Sequence, residues 1–305
     1  MSFLRIHPAL DKALRENRLK IPLDKKTRVV IFSDIHRGAG DWADDFMHNA
    51  QVFDCALRYY LDENFTYIEL GDGDELYENR RLLDIVRAHG HIFRLLNQFH
   101  QLNRLVYVCG NHNWQMMDPV YLKSALQLAR IYVPGLFAGL KTHSSLLLGE
   151  KMFLVHGHMG DLMNDRFIFL GRFFVRYLWR GLQARFGFKD PTSPAQNWLK
   201  GRQIDRKILL WACKNRLTAV AGHTHRPMFA SLSKQQKLLG RKEKPYYFNA
   251  GSGVHPRCVT CLEIEDMMIS LVKWSIAAEK DRGLKIKREI LPDCRRNLEE
   301  ILAGT

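Results

Sequence analysis

The run Thr218-Ala219-Val220-Ala221 passes straight into Gly222-His223-Thr224-His225-Arg226-Pro227. A short, continuous apolar run of this kind reads as a strand buried on both faces, which puts its polar exit at the strand's carboxyl end. Two imidazoles two residues apart at such a mouth can face one ion or two adjacent ions. Taken alone the pair is weak, since histidines so spaced also serve surfaces and hydrogen bonds. It gains weight because four earlier strand ends each deliver a residue of the metal-ligand type.

Val29-Val30-Ile31-Phe32 ends in Ser33-Asp34-Ile35-His36, and Tyr67-Ile68-Glu69-Leu70 ends in Gly71-Asp72-Gly73-Asp74-Glu75. Leu105-Val106-Tyr107-Val108-Cys109 ends in Gly110-Asn111-His112-Asn113, and Met152-Phe153-Leu154-Val155 ends in His156-Gly157-His158. Between these exits lie helical patterns, one over about 44–63 with Phe46, Val52, Phe53, Ala56, Leu57 and Tyr60 in a 3.6-residue stripe, another over about 81–101. Leu146-Leu147-Leu148 pairs with the run at Met152 as a hairpin through Gly149-Glu150-Lys151. Further strands are expected at Tyr246–Asn249 and as a hairpin of Cys258–Ile264 with Met268–Trp274. The repeat of strand, polar cluster and helix predicts an α/β chain, and in that class the ligand site lies beyond the strands' carboxyl ends.

A mixture of oxygen and imidazole ligands suits divalent ions such as Mn, Fe, Zn or Co. A bridging carboxylate can hold two ions about 3.5–4 Å apart, and such pairs activate water for in-line attack on phosphorus. Asp72 is the natural bridge. Asp34 and His36 alternate off one strand end and can serve one ion with it, Asn111 and His156 can serve the other, and His223 and His225 complete the pair.

Taken in order, Asp34-x-His36, Gly71-Asp72-x-x-Glu75, Gly110-Asn111-His112, His156 and Gly222-His223-x-His225 resemble the calcineurin-like metallophosphoesterases over about residues 28–253. The resemblance implies a four-layer αββα sandwich with a dinuclear site at the strand ends. It implies that Asp34, His36 and His225 bind the first ion, that Asp72 bridges, and that Asn111, His156 and His223 bind the second. It gives His112 to the phosphate and to protonation of the leaving oxygen, with a metal-bridging hydroxide as the attacking group and Mn as the foremost metal. Two departures stand out. The residue after His112 is commonly acidic in the family and orients that histidine, whereas here it is Asn113, which predicts a less basic imidazole. Glu75 stands where purple acid phosphatases carry a tyrosine, which tells against a tyrosinate–iron variant.

Within the family, the Gly222–Pro227 and Gly71–Glu75 motifs look most like the branch of UDP-2,3-diacylglucosamine pyrophosphatases, although that branch often has Arg where His112 stands. Those enzymes carry a helical insertion over the active site that receives acyl chains. A basic and aromatic stretch, Phe167 to Phe186, lies in the place such a lid would occupy, and Arg172, Arg176 and Arg180 recur in it at every fourth residue. On a helix they form one cationic stripe, suited to phosphates beside an apolar face that meets lipid or acyl chains. The other reading is a buried helix pair whose arginines reach solvent.

The composition agrees with one large domain: 305 residues with 46% hydrophobic content support a sizeable core. Six scattered cysteines and the absence of a signal-like opening predict a reducing, cytoplasmic setting, and Cys258 and Cys261 read as two small buried hydrophobes rather than a redox or zinc pair. No apolar run approaches the roughly 18 uncharged residues of a membrane span. A formal charge of +14 favours polyanionic partners, whether phosphorylated metabolites, an anionic membrane surface contacted peripherally, or nucleic acid. The expected organisation is an N-terminal helical extension over 1–27, a metallophosphoesterase domain over 28–275 with a helical lid at 159–217, and a charged tail over 276–305.

The expected function is hydrolysis of a phosphoester or pyrophosphate bond, foremost in a nucleotide-diphospho-lipid or -sugar. Its rivals are a nuclease or cyclic-nucleotide phosphodiesterase, and a non-catalytic membrane-surface or nucleic-acid binding protein on the same scaffold. His158 and Arg226 are candidate substrate residues beside the ligands.

Overall fold

The computed structural model describes residues 6–17, 19–158, 198–230, 246–278 and 283–303. Helix α1 (Ile6–Glu16) and strand β1 (Lys20–Ile21) precede the first long buried strand, β2 (Val29–Phe32). Helix α2 (Ala50–Asp62) leads to β3 (Thr66–Leu70). The single helix expected over 81–101 is two, α3 (Leu82–Ala88) and α4 (Gly90–Gln101), broken at His89, whose φ and ψ of −115° and 34° leave the helical region. Next come β4 (Leu105–Val108), α5 (Pro119–Ala129), β5 (Thr142–His143), β6 (Ser145–Leu148) and β7 (Met152–Val155). Helix α6 (Trp198–Asn215), β8 (Thr218–Ala221), β9 (Tyr247–Asn249), β10 (Cys258–Glu265), β11 (Met268–Ala278), β12 (Leu284–Asn297) and α7 (Leu298–Ala303) complete the chain.

The strands form a five-stranded sheet, β1-β6-β7-β8-β9, and a seven-stranded sheet, β12-β11-β10-β2-β3-β4-β5. Their facing sides enclose one apolar layer that includes Ile31, Ile68, Val108, Leu154, Val220 and Leu262. The reverse face of the seven-stranded sheet, with Phe32 and Tyr67, is covered by residues of α2, α3, α4 and α5 such as Phe53, Ile85, Phe93 and Leu122. The reverse face of the five-stranded sheet, with Phe153 and Ala219, is covered by Leu10 and Ala13 of α1 and by Ile204, Ile208 and Trp211 of α6. The α/β, four-layer αββα sandwich is therefore present, and the near-continuous burial of β2, β3, β7 and β8 follows from being covered on both sides.

Three segments differ from expectation. The N-terminal helix belongs to the outer layer, tied by a hydrogen bond from Trp211 Nε1 to Asp11 Oδ1 (2.8 Å), and Lys20–Ile21 extends a sheet. Residues 276–305, expected as a charged tail, contain all of edge strand β12 and of α7. Charge on an edge strand is what keeps it from pairing with other chains, so its polar sequence hides its conformation. Of the expected lid at 159–217, the part from 198 is the structural helix α6, while Phe167 to Phe186, Arg172, Arg176, Arg180 and the basic loop 234–244 lie outside the described residues. No described helix is long and apolar enough to cross a membrane. Cys258 is half-buried and Cys261 buried beside the Tyr60 hydroxyl (3.3 Å), both as free thiols.

Candidate metal centre

Strands β2, β3 and β4 run parallel in one sheet and β7 and β8 run parallel in the other, so five carboxyl ends meet at one edge of the sandwich. The loops leaving them turn sharply. Asp34, His36, Asp72, His223 and His225 all adopt the left-handed region, with φ of 55°, 52°, 51°, 67° and 55°. Non-glycine residues enter this region at a cost, and clusters of them mark sites where surrounding structure holds the backbone for a purpose. Here the turns aim alternate side chains inward. Glycine precedes three of the donors because a neighbour fills the place of its side chain: a Cβ at Gly222 would lie 1.8 Å from Ser33 Oγ, one at Gly110 2.2 Å from Asp72 Oδ1, and one at Gly71 2.4 Å from the His156 ring.

Three groups of donor atoms gather in the resulting pit, each with its members within 4.8 Å of one another: Asp34, His36 and His225; Asp72, His156 and His223; and His36, Glu75 and His112. In the first, His225 Nε2 lies 3.2 Å from Asp34 Oδ1 and 3.1 Å from His36 Nε2. In the second, His156 Nε2 lies 2.9 Å from Asp72 Oδ2. The two groups adjoin, since Asp34 Oδ1 is also 3.9 Å from His156 Nε2. Asn111 is buried at the third exit.

Within this pit Asp34 Oδ1, Asn111 Oδ1, His156 Nε2 and His223 Nε2 are buried with no hydrogen-bond partner among the described residues. His156 Nε2 lies 2.9 Å from Asp72 Oδ2, an ion-pair contact when the imidazole is protonated. Buried polar atoms are nearly always satisfied, so four orphaned atoms on four different loops, all of ligand type, are the pattern a metal site leaves. The donor set fits divalent ions of the Mn, Fe, Zn and Co group.

The electrostatics of the pit agree. Burial opposes ionisation of Asp34 and Asp72, but the surrounding histidines overcome it and hold both carboxyls well below their ordinary range. Burial also acts to lower His156, yet Asp72 and Asp34 raise it to about 9. His36 is raised in the same way by Asp34 and Glu75 against its own burial. His223 is lowered by burial and by its neighbour His156, and His225 is lowered by burial.

The remaining candidates take separate places. His112 is partly exposed, its backbone N–H donates to Asp72 Oδ1 (2.8 Å), and its ring stands edge-on to His36 at 4.6 Å between centroids. His158 joins none of the three groups; its ring is 5.6 Å from that of His156, and burial pushes it down to about 4. The guanidinium of Arg226 lies 3.7 Å from Asp205 on α6.

Asn113 does not leave His112 without an acidic partner. Its own amide is engaged elsewhere, accepting from Gly110 N (2.8 Å) and donating to the Tyr107 hydroxyl (3.1 Å). Glu75 takes the acidic role, its carboxylate 2.8 Å from His112 Nδ1 and 2.6 Å from His36 Nδ1. The motif places a glutamate three residues beyond Asp72, but that its side chain turns back onto two imidazoles depends on the loop.

No protein-family model matches the chain, and no curated protein matches it either. Among solved structures, vacuolar protein sorting 29 from Cryptosporidium parvum matches at 10% identity and a TM-score of 0.33, over 87% of this chain and 98% of that one. So loose a likeness bears no weight, and the reading of the site rests on its own geometry.

Proposed function

We propose that the chain is a metal-dependent phosphohydrolase of the calcineurin-like metallophosphoesterase superfamily. The observation that carries this reading is the pair of adjoining donor groups with unsatisfied inward-facing atoms, flanked by a partly exposed histidine. Asp34, His36 and His225 would hold one divalent ion, Asn111, His156 and His223 another, with Asp72 between them. When bound, two such ions supply Lewis acidity at phosphorus and a water made acidic enough to attack it.

The chain's own residues do the rest. Glu75 accepts from Nδ1–H of His112 and fixes the ring, so that the protonated imidazole presents Nε2–H to a phosphoryl oxygen, passes that proton to the leaving group and is left neutral with its hydrogen on Nδ1. Asp72 Oδ1 accepts from the backbone N–H of His112 and so sets the distance between that histidine and the metal pit. Asn111, from the same loop, adds a neutral oxygen donor and no further charge.

The leading substrate is a nucleotide-linked lipid or sugar carrying a pyrophosphate bond. Support comes from the motif resemblance and from the formal charge of +14, which suits polyanions. The His158 ring lies 5.6 Å from that of His156, while Arg226, Arg172, Arg176 and Arg180 remain candidates for the phosphates on sequence grounds alone.

The decisive experiment measures hydrolysis of a chromogenic phosphodiester with and without Mn, alongside metal content per chain. Wild-type protein should carry about two ions and lose activity on chelation, and Asp72→Ala should be inactive. Activity that survives both chelation and Asp72→Ala refutes the mechanism. A panel of phosphomonoesters, pyrophosphates and single-stranded DNA then sorts the substrate class, and turnover of DNA alone would favour a nuclease.

A further inference from the structure

The loop that carries His223 and His225 alternates its side chains. The two histidines point into the metal pit, while Thr224 and Arg226 both engage Asp205 of α6, with Thr224 Oγ donating to Asp205 Oδ1 (3.1 Å) and the Arg226 guanidinium 3.7 Å from Oδ2. The Tyr247 hydroxyl donates to the same Oδ1 (2.7 Å). Asn249 Nδ2 closes the group, reaching Gly222 O (2.9 Å), Thr224 Oγ (3.1 Å) and the Tyr247 hydroxyl (3.2 Å).

We propose that Asp205 is a positioning residue for the metal centre, holding the Gly222–Arg226 loop in the conformation that presents His223 and His225 as ligands. The proposal rests on the dinuclear reading above. Three observations carry it. First, the loop is strained at both histidines, with φ of 67° and 55°, and such a backbone persists only when neighbours over-determine it. Second, Asp205 is 3% exposed yet belongs to none of the three donor groups, and a buried carboxylate outside the ligand set needs another use to offset its burial. Third, α6 is a firm base: Ile204, Ile208, Trp211 and Ala212 are buried in the layer that covers the five-stranded sheet, so a group fixed to it fixes whatever it grips. The His223 side chain cannot supply this hold, because its Nε2 has no partner among the described residues, and that of His225 reaches only fellow donors, Asp34 and His36. The loop's backbone adds Gly222 N to His156 O (3.0 Å), Thr224 N to Gly222 O (2.8 Å), His223 N to Asp34 Oδ2 (2.7 Å) and the acceptance by His225 O from His255 Nε2 (2.6 Å), none of which reaches α6.

The test is calorimetric titration of Mn into chelator-stripped, full-length protein, with circular dichroism and thermal unfolding of the metal-free form as controls. Asp205→Ala and Thr224→Val should each weaken Mn binding by about 10- to 100-fold, the usual effect of removing a group that orients ligands. Asp205→Asn keeps an oxygen acceptor in place of Oδ1 and should recover most of the affinity. Affinities within about twofold of wild type in both Asp205→Ala and Thr224→Val overturn the proposal, as does a loss in Asp205→Ala that Asp205→Asn fails to reverse. If Asp205→Ala does not fold, Thr224→Val and Asp205→Asn decide by the same criteria. A wild type that takes up no Mn overturns the dinuclear reading and the role of Asp205 together, whereas two ions in wild type with unchanged variants removes only the latter.

Discussion

One carboxylate, that of Glu75, touches Nδ1 of His36 and Nδ1 of His112, and those two rings face different parts of the proposed chemistry. Burial opposes its ionisation, but His112 and His36 hold it well below the ordinary glutamate range. Glu75→Gln preserves shape but has one oxygen where two Nδ1–H groups need an acceptor. Its kcat should fall by about 10²-fold, the lower end of what a positioned acid contributes, while the protein still folds. Steady-state kinetics on the chromogenic diester, beside a far-ultraviolet spectrum, would show it; kcat unchanged from wild type removes Glu75 from the mechanism. The candidate donors at this scale were legible. Asp34, His36, Asp72, Asn111, His156, His223 and His225 follow from residue type at strand exits, because a strand's end is where a ligand-bearing turn must begin. The roles of Glu75 and Asp205 were not, because each depends on where a side chain crosses space rather than on what precedes it.

Between elements, a second buried set binds the first three exits to one another. Arg37, fully buried, donates from Nε to Asp74 Oδ1 (2.8 Å) and from Nη2 to Glu69 Oε2 (2.7 Å). The Tyr107 hydroxyl of β4 donates to Asp74 Oδ2, and Asn113 donates to Tyr107 in turn. One guanidinium thus links the loops after β2 and β3, and through Asp74 the loop after β4. Replacing Arg37 by Met should cost about 3–5 kcal/mol of stability, because two carboxylates are left buried without their cation. Arg37→Lys should rescue little, since a single ammonium cannot span both partners as the planar fork does. Urea denaturation of the metal-free protein measures both, and near-wild-type midpoints would contradict the assignment. Elements with strong periodicity, such as β2, α2 and β7, were readable because one chain face meets one core. Strand β12 was not, since its exposed and half-buried residues follow no clean alternation, and the break at His89 depends on the packing of α3 and α4 against α2 and α5.

For the molecule as a whole, metal and protons compete for the same atoms. In the metal-free protein His156 is raised to about 9 and His36 is raised too, each by carboxylates that overcome burial. A histidine so raised adds stability that is fully present below its unfolded value near 6.5 and is lost as pH climbs through the folded value. The unfolding temperature of the stripped protein should therefore fall between about pH 6.5 and 9. Mn needs neutral imidazoles, so its affinity should rise over the same window, by up to about tenfold per pH unit for each proton displaced. Scanning calorimetry with and without Mn should show two curves that diverge as pH rises; parallel curves would mean that Mn displaces no proton. The α/β class was legible from the repeat of buried run, polar exit and helix, and the four-layer sandwich from the motif resemblance. The placement of α1 and of α6 was not, because neither carries the exits that organise the rest.

The proposed ligands come from both halves of the sandwich: Asp34, His36, Asp72 and Asn111 from loops of the seven-stranded sheet, His156, His223 and His225 from loops of the five-stranded one. The short distances across that seam, 3.2 Å from Asp34 to His225 and 2.9 Å from Asp72 to His156, are set by how one sheet is registered on the other. A slip of half an ångström between the sheets alters every one of them together. Metal affinity is then a gauge of alignment deep in the protein, able to report repacking at Ile31 or Leu154 without any change in a ligand.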